Sequence, residues 1–496
     1  MLLSMASKQE PKLPLTLLLD KERNCVVAAE ASGDFIDILF SFLTLPLGTI
    51  TRLVSKKQEY DEVEEIGCIN NLYQSLENSA DDVFWNHICK KMLLFPRNPC
   101  EALCQKLKLN LDDAKPMKYF MCSNRCRKGG DWFLSTFAEA TCYCGKLMNK
   151  EMKLHGESNE ENDNGDGVFV KGQTMYLIFD DLKVLQSSPG NTVHQLLQLG
   201  YKNFHRLTKK YLNVGRKEIL DLLKQALISN SPLSDVFLDN GGSNGMCTFS
   251  PKLRPENQGW INHNPSINLK VTVRKSKKTI LYAEAEGDFV DYLFSFLTTP
   301  VGSVLNLLDE NFSLGSMNNL QKSVKNLNPL WLRNPSGTPL LNLRVAPQFG
   351  LKKQPTKLCE EHTPCYWYGT GVIKNHICYA IGNGVISKDH SLIQHPRAMK
   401  HFDPRSSDGT KESALGFVRR PSLFVVWNDL QVTPLVRTSS ISFLQKLNVP
   451  LDDLEQHELR IEETEALNLL GASLTSKAAL TEGLFYLLKP KKQAKA

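Results

Sequence analysis

The feature that most constrains this chain is that it writes one long passage twice. Residues 29–48 read AEASGDFIDILFSFLTLPLG and residues 283–302 read AEAEGDFVDYLFSFLTTPVG, and roughly 15 of the twenty positions are identical. The match runs without gaps from Leu17–Leu53 onto Val271–Leu307. It resumes in IGCINNLYQSLEN (66–78) against LGSMNNLQKSVKN (314–326), keeping Gly67/Gly315, Asn70/Asn318, Asn71/Asn319 and Ser75/Ser323. MYLIFDDLKV (175–184) then answers LFVVWNDLQV (423–432), keeping Asp181/Asp429 and Leu182/Leu430, and EILDLLKQALISNSPLSDVF (218–237) answers EALNLLGASLTSKAALTEGL (465–484) in its leucine pattern. Preserved order predicts a tandem duplication of a unit on the order of 230 residues, each able to hold a core. The expected division is a first unit at 13–238, a Gly-, Asn- and Pro-rich linker at 239–268, a second unit at 269–488 and a short basic tail at 489–496. Two turn-rich runs, 157–167 and 405–413, read as solvated insertions ahead of the matching strands.

Bulk properties remove whole classes of function. A chain of 496 residues with 42% hydrophobic and 23% charged content is globular rather than disordered. Its net charge of +6 is too dilute to argue for nucleic acid on its own. The start, MLLSMASKQEPKLP, lacks the basic and apolar regions of a secretory signal, and FIDILFSFLTLPLGTI is broken by Asp37 and Pro46 before it reaches membrane-spanning length. Thirteen cysteines without a secretory signal then read as free thiols or metal ligands in a reducing, cytoplasmic or nuclear setting, not secreted.

Each unit is expected to open with a β-hairpin, LTLLLD and CVVAAEA around a KERN turn, followed by a helix that is apolar almost all round. The fold class is therefore α+β. Asp34 sits where the helix N-cap is expected and Asp37 in its electropositive first turn. A narrow polar stripe, Asp37–Ser41–Thr44, repeats as Asp291–Ser295–Thr298 and shares one helix face. Glu30, Asp34 and Asp37 with Glu284, Asp288 and Asp291 are the paired carboxylates that acid–base chemistry would want. With no histidine or lysine recurring beside them, a structural reading is preferred.

The one constellation with chemistry in it lies at about 117–152, where cysteines fall as Cys122-x₃-Cys126-x₁₅-Cys142-x-Cys144. Two close pairs across a loop are the spacing of a zinc ribbon, with four thiolates closing a tetrahedron around a structural zinc. Gly145 suits the tight turn of a knuckle. The single residue between Cys142 and Cys144 is tighter than usual, which leaves open whether both ligate. The second unit keeps Cys359, Cys365 and Cys378 but has Ala380 at the fourth place, with His362 or His376 as substitute ligands. Arg125, Arg127 and Lys128 beside the ribbon offer a basic patch for nucleic acid. Dinucleotide, P-loop, nucleophile-elbow and zincin motifs are absent from the sequence.

AEASGDFIDILFSFLTLPLGTI followed by GCINNLYQS, the cysteine pairs ending CGKLM, and LIFDDLKV resemble the plant family catalogued as domain of unknown function 674. The resemblance covers nearly the whole chain in two copies. It implies a plant source, a repeated α+β unit, and cysteine pairs at Cys122, Cys126, Cys142 and Cys144; it implies no activity. The reading preferred on the sequence is a non-enzymatic protein-interaction scaffold with structural zinc and a protein partner, not associated with membrane. A ribbon-borne nucleic-acid binder and an enzyme without a recognisable motif are the alternatives.

Overall fold

The computed structural model describes residues 10–55, 66–128, 131–155, 167–172, 174–238, 247–252, 265–309, 312–334, 339–351, 354–356, 364–374, 377–406, 409–410, 413–414, 416–435 and 440–488. The apolar–polar alternation of LPLTLLLD forms β1 (Leu13–Asp20), with Leu13, Leu15 and Leu17 buried, and CVVAAEAS forms β2 (Cys25–Ser32). β3 (Met175–Phe179), β4 (Val184–Gln186) and β5 (Leu207–Val214) complete an antiparallel sheet of order β5-β1-β2-β3-β4. In the second half, β6 (Ile267–Arg274), β7 (Thr279–Glu286), β8 (Leu423–Trp427), β9 (Val432–Pro434) and β10 (Leu454–Ile461) build a sheet of order β10-β6-β7-β8-β9. The two orders are the same. Both hairpins slip register at the matching place, Leu18/Leu19 and Thr272/Val273.

Among the described residues, five longer helices in each half follow the same succession, and a shorter pair, Pro232–Phe237 and Ala479–Leu484, closes it. In the first they are α1 (Gly33–Ser41), α2 (Leu47–Ser55), α3 (Ile69–Asn78), α4 (Pro189–Gln198) and α5 (Arg216–Ile228). In the second they are α6 (Gly287–Thr298), α7 (Val301–Leu308), α8 (Met317–Asn326), α9 (Ser440–Leu447) and α10 (Glu463–Thr475). α1 and α6 are buried on nearly every residue, as their unbroken apolar sequence requires, and one continuous hydrophobic core runs through both halves. No described helix is long and apolar enough to cross a membrane.

The halves are joined by reciprocal contacts. At the centre the twice-written passage meets its own copy: Pro46 bridges Pro300, Leu47 N–H donates to Thr299 O and Val301 N–H to Leu45 O, each at 3.1 Å. α3 docks on the second half, where Asn71 Nδ2 donates to Asp429 O and Ser75 Oγ accepts from Val432 N. α8 docks on the first half in the same way, through Asn319 Nδ2 to Asp181 O and Val184 N to Ser323 Oγ. Gly67 and Gly315 make the entries possible. Their φ angles are +51° and +49°, and a Cβ there would stand 2.4 Å from Ser473 O and 2.6 Å from Ala226 O.

A further sheet belongs to neither half alone. Its hairpin Tyr366–Lys374/Ile377–Ser387 comes from the second half, and strand Asp131–Leu134 lies parallel to Arg397–His401 while Leu154–His155 lies parallel to Ile377–Ser387. Its own small core holds Tyr119, Met121, Trp132, Met152, Tyr366 and Tyr368, with Trp132 stacked on Tyr368 at 5.0 Å.

Several expectations change. α1 begins at Gly33 after an extended Ser32, so Asp34 is inside the helix, not its cap, and it pairs with Lys108. Residues 405–413 are not a solvated insertion where described. Arg405 is 1% exposed, donating to the Asp403 carboxylate at 2.8 and 3.0 Å and to Gly350 O at 2.7 Å. Within the expected linker 239–268, Thr248–Phe249 pairs with Phe312–Ser313, and β6 has already begun at Ile267. The rest of that linker apart from 247–252 and 265–266, most of 157–167, and the tail 489–496 lie outside the described residues.

Candidate metal centre

Cys122 follows strand Tyr119–Met121, which pairs antiparallel with Lys150–Met152, so its place is set by backbone hydrogen bonds. The chain then turns through Arg125, whose φ is +50° and whose N–H donates to Cys122 O at 2.8 Å, and so returns Cys126 to the same side. The second pair sits on a turn closed by the Thr141–Leu147 bridge. Cys142 N–H donates to Lys146 O and Gly145 N–H to Cys142 O, both at 2.8 Å, with Gly145 at φ +81°. These are two facing knuckles, and the short Cys142-x-Cys144 spacing does not prevent convergence. All four Sγ atoms lie within 4.8 Å of one another, and Cys122 Sγ is 3.6 Å from Cys126 Sγ and 3.5 Å from Cys144 Sγ.

That cluster could hold a metal ion. Tetrahedral thiolates at about 2.3 Å from one ion stand about 3.8 Å apart, close to the separations seen. Cys122 and Cys142 are buried against the main core, Cys126 is half-buried and Cys144 is exposed, so the site has one solvent face. The Lys146 backbone N–H and the neighbouring thiols pull Cys144 down to about 7. Its thiol partner Cys144 pushes Cys126 up, and burial pushes Cys142 up. Crowded sulfurs share little negative charge among themselves; a cation relieves that restriction.

The other residues singled out by sequence go elsewhere. Arg125 and Arg127 are exposed at the knuckle, but the Arg127 guanidinium lies 4.6 Å from the centre of the Trp132 ring. Cys365 is exposed, whereas Cys359, His362, His376 and the Cys378 side chain lie outside the described residues. Asp37 is buried and accepts from the backbone N–H groups of Val168, Phe169 and Val170, and Asp291 accepts from Phe417 and Val418 and pairs with Arg420. Glu30 accepts from Ser187 Oγ at 2.8 Å. The hydroxyls of the polar stripe donate within their own helical turns, Ser41 Oγ to Ile38 O and Thr44 Oγ1 to Ser41 O, with Ser295 and Thr298 doing the same, and Thr44 Oγ1 also accepts from Asn98 Nδ2 at 3.0 Å. Asp37 and Asp291 thus hold backbone, and in the second half Arg420 also joins Asp288 to Asp291. Sequence reasoning missed the buried Asp403–Arg405 pair, because nothing in RSSDGTKES shows that the loop folds inward.

A family model described as protein of unknown function (DUF674) matches residues 9–464. No curated protein and no solved structure matches the chain.

Proposed function

For a chain that belongs to the DUF674 family of proteins of unknown function, we propose a non-catalytic role as a scaffold of two units related by duplication, with a structural zinc in the first. The observation that carries this reading is the convergence of Cys122, Cys126, Cys142 and Cys144 Sγ within 4.8 Å. An all-sulfur donor set favours a thiophilic ion, and four protein ligands leave none of the open coordination that catalytic zinc needs. Bound there, zinc would tie the two knuckles together; the cysteines hold the ion and position the strands that flank it. The identical strand orders and reciprocal docking of α3 and α8 support the duplication.

A protein partner fits apolar side chains left at the surface, among them Leu197 and Leu199 near α4 and Ile441 and Leu451 near α9. Elemental analysis of the purified full chain tests the metal: about one zinc per chain is expected, falling on Cys122→Ser. No zinc, or unchanged zinc in that variant, overturns it. Affinity capture at physiological salt tests the interaction role. A salt-steep association with nucleic acid that is lost on Arg125→Ala would favour the ribbon-borne alternative instead.

A further inference from the structure

The outer faces of the two five-stranded sheets differ at one matching cross-strand pair. In the first sheet Ala28 stands opposite Phe179; in the second Tyr282 stands opposite Trp427. The Tyr282 ring packs edge-on to Trp427 at 6.1 Å and to Phe443 of α9 at 5.1 Å, and it is 3% exposed. Trp427 and Phe443 are themselves 5.3 Å apart. Aromatic rings therefore fill the space between that sheet and the helix over it. In the first sheet the same space, under α4, is a cleft of about 220 Å³. Its floor is Ala28, Leu177 and Phe179, and its roof includes Leu196.

From this contrast we infer that the cleft between the first sheet and α4 is a binding site for a small planar aromatic molecule of one or two fused rings bearing an N–H or O–H donor. The second half shows what this architecture accepts there, because it places its own rings in the corresponding room. The size is right: apolar cavities of about 150 Å³ take up benzene, and drug-sized ligands need upward of about 300 Å³. The rim supplies the polar requirement. Thr16, Glu30, Thr192 and Lys209 line it, and the Glu30 carboxylate, which accepts one hydrogen bond from Ser187 Oγ, has lone pairs left for a donor on the ligand. Sheet and helix hold most of the wall before any ligand arrives, with Phe204 of the segment ahead of β5 completing it, so little ordering opposes binding.

Indole is the probe, titrated calorimetrically into the full chain. Saturable binding of one equivalent is expected, with a dissociation constant between about 10 μM and 1 mM. Ala28→Tyr places the second half's ring in the cleft and should weaken binding at least tenfold. Tyr282→Ala opens the matching room and should raise the stoichiometry from one to two. Non-saturable uptake by the parent chain overturns the assignment, as does undiminished affinity in a folded Ala28→Tyr variant. Where that variant does not fold by circular dichroism, a stoichiometry that stays at one in Tyr282→Ala overturns it.

Discussion

Asp37 shows what the repeated residues do one by one. Its carboxylate gathers three backbone N–H groups from residues 168–170, and burial still pushes it up to about 6. The native state then binds a proton between about pH 6 and the ordinary carboxylate range, where the unfolded chain has already released it. This contribution to stability is present at low pH and lost as pH rises through 6. Asp37→Asn leaves an amide nitrogen facing the Val168 N–H and should cost about 1–3 kcal/mol at pH 7.5. Its deficit against the parent should widen by about 1 kcal/mol at pH 5. Urea denaturation at the two pH values checks this, and a constant deficit would mean that the folded carboxylate stays ionised at pH 5. A contrast between two glycines is equally direct. Gly67→Ala forces a Cβ against the Ser473 carbonyl and should cost about 2–4 kcal/mol, whereas Gly145→Ala meets nothing within 4 Å and should cost about 1 kcal/mol for its positive φ. The identity of Gly67, Asn71 and Ser75 with their counterparts is plain in the sequence; that each reaches into the other half is not, because a repeat carries no record of which copy it touches.

Among the elements, the hairpins and the buried helix after them are legible because alternation and an unbroken apolar run each admit one arrangement. The helix start is not. Asp34 has the chemistry of a cap, yet Ser32, two residues earlier, takes the cap position, and the Asp34 carboxylate is turned to Lys108. The cysteine knuckles are legible from spacing alone, and Arg125 and Gly145 at positive φ are the local devices that bring the pairs together. Treating the chain with a chelator, or making Cys142→Ser, should speed amide exchange across 119–152 by at least tenfold while the strands of the two large sheets keep their protection. Equal loosening of all sheets would mean that the cluster has no local role.

For the molecule as a whole, tandem order suggests two bodies and a linker, but the structure has one core passing through both halves. Part of what hid this from sequence is that several contacts joining the halves are made by backbone groups, beside Pro46–Pro300 and at Cys68–Ser473 and Ser316–Ala226, where the side chains carry no signature of the contact. Residues 10–238 made alone should therefore be largely unfolded or associated, and co-expression with 265–488 should recover a folded 1:1 complex, read by size-exclusion chromatography and circular dichroism. An independently folded, monomeric 10–238 fragment would refute the shared core.

The reciprocal docking of α3 and α8 bears on what either half could do alone. A chain with only one such unit would carry a helix with no sheet edge to meet, and an edge with no helix. It could close only by trading helices with a second copy of itself. Carried on one chain, the two halves meet within a single molecule, and their matching rooms differ: one has a cleft beneath α4 and the other is filled with rings.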